Sequence, residues 1–149
     1  MERASGRVFR GASLVVRVEL IWQRDLRFTA WSGDIELTLD GDSKAGPSPV
    51  QALAFALAGC MAMDVAAILQ KGRRPVAGLK AAFTGTRAES EPRRLTRVGL
   101  HFMVEGAVPS EAVERAITLS REKYCSVWHS MRQEIGLDVT FELVNPGGT

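Results

Sequence analysis

Two residues in this 149-residue chain can do thiol chemistry, Cys60 and Cys125, and there is no third cysteine. Cys60 sits in the middle of LAFALAGCMAMDVAAILQK, from Leu53 to Lys71, the most apolar stretch of the chain. The plain reading of such a thiol is a small core hydrophobe. Asp64, one helical turn later on the same face, shows that this face is not wholly dry. Cys125 falls in EKYCSVWHS, where one helix ends at Tyr124 and another starts at Ser126. A thiol at a helix N-terminus meets unpaired N–H groups and the positive end of the dipole, which favour the thiolate. Two thiols at separate landmarks, with no spare cysteine, suggest a pair that meets in space. Their linear spacing is far too wide for a CxxC motif or a zinc knuckle. His101 and His129 do not stand at ligand spacing from either cysteine, so no metal site is expected.

The elements around them follow from periodicity. Leu14 to Ile21, Asp25 to Trp31 and Asp34 to Asp40 alternate apolar and polar residues, as half-buried strands do. Gln23-Arg24 and Ser32-Gly33 are expected to turn them into an antiparallel meander. The loop GDSKAGPSP is dense in turn formers. Pro49 opens a helix that runs to about Lys71, with Ser48 as N-cap, Gly72 as the residue that ends it and Pro75 as the stop. Val76 to Arg87 and Arg94 to Glu105 read as a long hairpin. A second helix starts near Ser110, with Val113, Ala116, Ile117 and Ser120 on one face. A short third helix follows Cys125, and Asp138 to Val144 closes the chain as a strand. The expected organisation is a loose leader over 1–13, a single α+β domain over 14–144 and a frayed tail over 145–149.

Composition narrows the function. Apolar residues make up 46% and charged residues 24%, which describes a globular chain. The 19 basic and 17 acidic residues nearly balance, and no basic stripe argues for nucleic acid. The N-terminus lacks a signal peptide's apolar core, so a cytoplasmic location is expected, where a lone structural disulfide is unusual. Asp64 interrupts the apolar run, which argues against a membrane span and for a core helix. That helix is apolar on every side, and a small domain has trouble surrounding it; burial against a second copy of the chain would solve the problem.

The PSP lead into an apolar helix with Gly59-Cys60 at its centre, the segment DVAAILQKGR and the later EKYCSV resemble the OsmC/Ohr family of organic hydroperoxide-detoxifying proteins, and its OsmC-like branch in particular. The likeness runs from about Val16 to Val144. It implies an OsmC-like fold, antiparallel sheets wrapped around long central helices in an intertwined homodimer. It implies a thiol-dependent peroxidase in which Cys60 attacks an organic hydroperoxide and Cys125 resolves the sulfenic acid as a disulfide. An external dithiol, often a lipoyl protein in the family, then re-reduces the pair. No metal, haem, flavin or other cofactor is implied. Ala56, Leu57, Met61 and Trp128 are candidates for the substrate pocket, although each also reads as plain core.

One feature departs from the family pattern. Its hydroperoxidases carry an arginine and a glutamate that poise the thiolate. Arg24 matches the arginine. The glutamate position falls on Val50, with Gln51 beside it, so the ion pair is absent or rebuilt with an uncharged partner. A carboxylate at Asp64 would raise a neighbouring thiol's pKa, which opposes reactivity; Asp64 is instead expected to cap or orient a group across the dimer. Two alternatives therefore stay open beside the enzyme: a non-catalytic protein that binds an apolar small molecule, and a redox sensor.

Overall fold

The computed structural model describes residues 14–144; the expected leader and tail lie outside them. The order of elements is β1 (Glu19–Arg24), β2 (Arg27–Ser32), β3 (Ile35–Asp40), α1 (Pro49–Lys71), β4 (Val76–Arg87), β5 (Leu95–Gly106), α2 (Ser110–Leu119), a π-helical turn (Ser120–Tyr124), α3 (Ser126–His129) and β6 (Gly136–Val144). The fold is α+β, with two three-stranded sheets. The chain forms two compact units that divide between Val50 and Gln51.

The first unit is the meander β1-β2-β3, antiparallel throughout. The first turn falls on Asp25 and Leu26, two residues later than the expected Gln23-Arg24. Asp25 takes a left-handed φ of 47°, which aspartate tolerates better than most residues, and its carbonyl accepts from the Trp22 indole N–H at 2.9 Å. Strand β1 starts at Glu19, opposite Trp31 of β2, later than the expected Leu14; just before it, Arg17 O accepts from Ser32 Oγ at 2.9 Å, a side chain taking the place of a ladder bond. The expected single wet face is not what this unit presents. All of β1 is exposed, and Leu20, Ile21, Trp22, Leu26, Ile35 and Leu37 all stand in solvent.

The loop after β3 is organised by Asp40, which is almost completely buried. Its carboxylate accepts from the backbone N–H groups of Asp42, Lys44 and Ala45 at 2.9, 3.3 and 2.9 Å and from Arg27 Nε at 3.1 Å. Gly46 lets the loop press on β3, since a Cβ there would overlap the Thr38 carbonyl oxygen. The N–H of Ala45, then that of Asp42, hold the Asp40 pKa at about 2 against an ordinary 3.8, with burial opposing and Arg27 assisting. A depressed carboxylate stabilises the fold above its ordinary value, and that contribution is lost as pH falls through about 2. Asp40→Asn is therefore expected to melt below the wild type at neutral pH, with the gap closing between pH 3.8 and about 2. A gap that stays constant across an acid series of thermal melts would contradict this.

In the second unit, α1 has the expected limits. It buries one stripe, Leu57, Met61, Val65 and Leu69, spaced every fourth residue. By length and composition it is apolar enough to cross a membrane, yet this stripe belongs to a core shared with Val98, Leu100, Phe102 and Val104 of β5 and Val113, Ala116 and Ile117 of α2. Its other faces stay open, with Phe55 70% and Met63 71% exposed. The helix ends in a Schellman motif: Arg73 N–H donates to Gln70 O and Arg74 N–H to Leu69 O, both at 3.0 Å. The left-handed residue is Arg73, with φ 55°, and not the expected Gly72, whose N–H still makes an i to i−4 bond to Ile68 O at 3.0 Å.

The second sheet has the order β4-β5-β6. The expected hairpin of β4 and β5 is present and antiparallel. Strand β6 pairs with β5 in parallel, so this sheet is mixed and not wholly antiparallel as expected. The cause is the connection: α2, the π-turn and α3 carry the chain back before β6 begins, as a parallel crossover requires. On the outer face His101 Nδ1 meets Thr140 Oγ1 at 2.8 Å and Nε2 meets Glu142 Oε1 at 3.2 Å, so this histidine is committed to the β5–β6 pairing.

Candidate functional site: a thiol pair with a carboxylate

The second unit brings Cys60 and Cys125 together. Their sulfur atoms and a carboxylate oxygen of Asp64 all lie within 4.8 Å of one another. Cys60 and Asp64 are on one face of α1, four residues apart, and both are half-buried. Cys125 comes from the other side of the core and is fully buried. It is delivered by the π-helical turn, in which the Cys125 N–H reaches back five residues to Ser120 O at 2.8 Å. A π-turn inserts a residue into the helical rotation and often marks a functional position. Here it ends α2 and starts α3 with the thiol at the junction.

As expected from the sequence, Cys125 caps the next helix, its sulfur accepting from the Trp128 N–H at 3.4 Å. The expected consequence, a favoured thiolate, does not follow. Burial pushes the Cys125 thiol up from 9.0 to about 11; the Trp128 N–H opposes this, while the neighbouring Cys60 and Asp64 add to it. Desolvation outweighs one hydrogen bond from a helix of a single turn. Both cysteines are free thiols.

Two serines complete the cluster, and the sequence reading gave neither a role at the thiols. Ser120 is fully buried and donates from Oγ to Asp64 Oδ2 at 2.8 Å. Its signal was visible: a hydroxyl in the fourth position of an otherwise apolar stripe that begins on α2 needs a polar partner. Asp64 thus finds a partner within its own chain, where the expectation placed it across a dimer. Ser126 Oγ lies 4.0 Å from Cys60 Sγ.

The remaining candidates scatter. Leu57 and Met61 are fully buried, Trp128 is buried, and Ala56 is exposed. A concavity of about 420 Å³ reaches the cluster through Asp64 and is otherwise lined by Ala67, Ile68, Lys71, Leu119 and Tyr124. A second, of about 300 Å³, is lined by Gln51, Ala54, Phe55, Ala58, Ala81 and Phe83. Gln51 stands in the first turn of α1. Arg24 belongs to the other unit, as the exposed last residue of β1.

Comparison with known proteins places this geometry. Residues 39–140 match the family model described as OsmC-like protein. Protein YhfA of Escherichia coli K12 is 38% identical over 126 residues, covering 83% of this chain and 94% of YhfA. A crystal structure of a hypothetical protein from Aquifex aeolicus VF5 superposes with a TM-score of 0.83 at 28% identity, covering 90% of this chain and 99% of that one. An organic hydroperoxide resistance protein OsmC from Legionella pneumophila shares the fold, with a TM-score of 0.67 at 11% identity over 89% of this chain and 99% of its own. With two thirds of its length matched to the family model, and the fold shared with these structures over about nine tenths of the chain, the chain belongs to the OsmC-like family.

Proposed function

We propose that this protein is a thiol-dependent peroxidase for organic hydroperoxides. The observation that carries the reading is the placement of Cys60 and Cys125, distant in sequence, with their sulfur atoms within 4.8 Å. Of the two, Cys60 is the more accessible, which suits it to attack, and Cys125 is fully buried beside it, which suits it to resolve. The Cys60 thiolate attacks one peroxide oxygen. The O–O bond breaks, the alkoxide leaves and takes up a proton as alcohol, and Cys60 is left as sulfenic acid. The Cys125 sulfur then displaces water to form a disulfide. An S–S bond is about 2.05 Å long, so closure needs a side-chain rotation and a small local shift. A dithiol, such as a protein-bound lipoyl group, reopens the bond by exchange. In this reading a cytoplasmic setting supplies the reductant.

The apolar concavity that ends at Asp64 supports an alkyl over an inorganic peroxide, because the alkyl group leaves water on entering it. The open apolar faces of α1 and of the β1-β2-β3 sheet support a homodimer, in which a second chain covers them.

Titration of the reduced protein with tert-butyl hydroperoxide tests the proposal. Two thiols per chain are expected to disappear, with a loss of about 2 Da as the disulfide forms. Survival of both thiols in excess peroxide would remove the enzyme reading and leave a binding protein.

A further inference from the structure

The peroxidase reading leaves Asp64 unexplained. Burial disfavours ionisation of the Cys125 thiol and the Asp64 carboxylate adds to it, yet this carboxylate is held in place by a buried serine at 2.8 Å. We propose that Cys60, Asp64 and Cys125 form a binding site for a thiophilic divalent cation, with zinc the natural occupant, so that the reduced thiol pair is also a metal site. The absence of a metal site expected from the sequence rested on linear spacing, which α1 and the π-turn bypass.

Four features support this. The donor atoms already lie within 4.8 Å of one another. Zinc–sulfur bonds of about 2.3 Å and zinc–oxygen bonds of about 2.0 Å put tetrahedral ligands roughly 3.5–3.8 Å apart, so a contraction of at most about 1.3 Å closes the site. The donor set suits the ion: two soft sulfurs and one carboxylate favour zinc over magnesium or calcium, and three protein ligands leave a fourth position for water. Ser120 donates to the carboxylate as outer-sphere partners of metal ligands do, fixing its orientation. The concavity lined by Asp64, Ala67 and Lys71 supplies a route for the ion and its water.

Binding forms two metal–sulfur bonds and releases the two thiol protons, with no change in oxidation state. Charge accounts for Asp64: the cation offsets two thiolates and a carboxylate that would otherwise repel. The same two sulfurs cannot hold the metal and a disulfide at once. Metal therefore protects the thiols, and oxidation expels it.

The test is a competition titration of reduced, metal-free full-length protein with zinc and a chromogenic chelator, in the absence of peroxide. The expected result is one zinc per chain with a dissociation constant of about 1 μM or tighter, and release of two protons. Bound zinc is expected to block modification of both thiols by a disulfide reagent, and protein oxidised with diamide is expected to bind none. Asp64→Asn keeps both thiols and is expected to weaken binding at least about 10- to 100-fold, the loss that follows even from removing an outer-shell partner of a ligand. Circular dichroism on each variant separates loss of a ligand from loss of the fold. Binding much weaker than about 10 μM, or affinity unchanged in a folded Asp64→Asn, would overturn the three-ligand site. Because no peroxide is present, such a failure is distinct from any failure of the peroxidase reading.

Discussion

Cys60→Ser is expected to reduce hydroperoxide consumption at least about 10³-fold, as loss of an essential nucleophile does. A serine hydroxyl is almost entirely protonated at neutral pH and gives no stable sulfenic analogue, so neither step of the cycle survives. Cys125→Ser has a different signature. It is expected to consume one equivalent of peroxide and stop, with a mass gain of about 16 Da for the Cys60 sulfenic acid. The two steps also differ in pH dependence. With the Cys125 pKa raised to about 11, only about one molecule in 10⁴ carries that thiolate at pH 7. Formation of the disulfide from sulfenic acid is therefore expected to accelerate roughly tenfold per pH unit between about 7 and 9. Stopped-flow mixing, with quenched mass spectrometry to separate the intermediates, reads both steps. Undiminished turnover in Cys60→Ser would reassign the nucleophile. A pH-independent disulfide step would mean that the Cys125 sulfur leaves its buried position before reacting.

Met63→Glu is expected to convert the proposed dimer to single chains. Met63 is 71% exposed on α1, away from the stripe that Leu57, Met61, Val65 and Leu69 bury. Around it on the helix lie Ala52, Ala56, Gly59 and Ala67, whose small side chains permit close approach by another helix. Covering a side chain of this size contributes about 1.5–3 kcal/mol, and in a two-fold dimer each substitution counts twice. Glutamate removes that contribution and brings two like charges into an apolar contact. The dimer dissociation constant is expected to rise at least about 10²-fold. Light scattering at micromolar concentration checks this: two chain masses for the wild type and one for the variant. A wild-type protein already at one chain mass would remove the dimer.

Local order was legible in the sequence where a short-range pattern decides it. The limits of α1 followed from Pro49 and the apolar run, β4 and β5 from long stretches of strand-forming residues, and the junction at Cys125 from two helical patterns that meet there. Boundaries slipped where two local rules compete. Leu26 fits the strand alternation of β2, but Asp25 accepts the left-handed turn and takes Leu26 out of the strand. Glycine usually occupies the left-handed end of a helix, yet Gly72 still donates to Ile68 O and Arg73 takes that place.

What the sequence by itself determined is therefore the set of elements, because these depend on periodicity and turn chemistry, and the family, because the segments around Cys60 and Cys125 resemble its motifs. Tertiary structure alone decided that β6 runs parallel to β5, that Ser120 meets Asp64, and that Cys125 is too deeply buried to be a ready thiolate. Each of these depends on residues far apart in the chain, and on a desolvation that exists only once the core has closed around them.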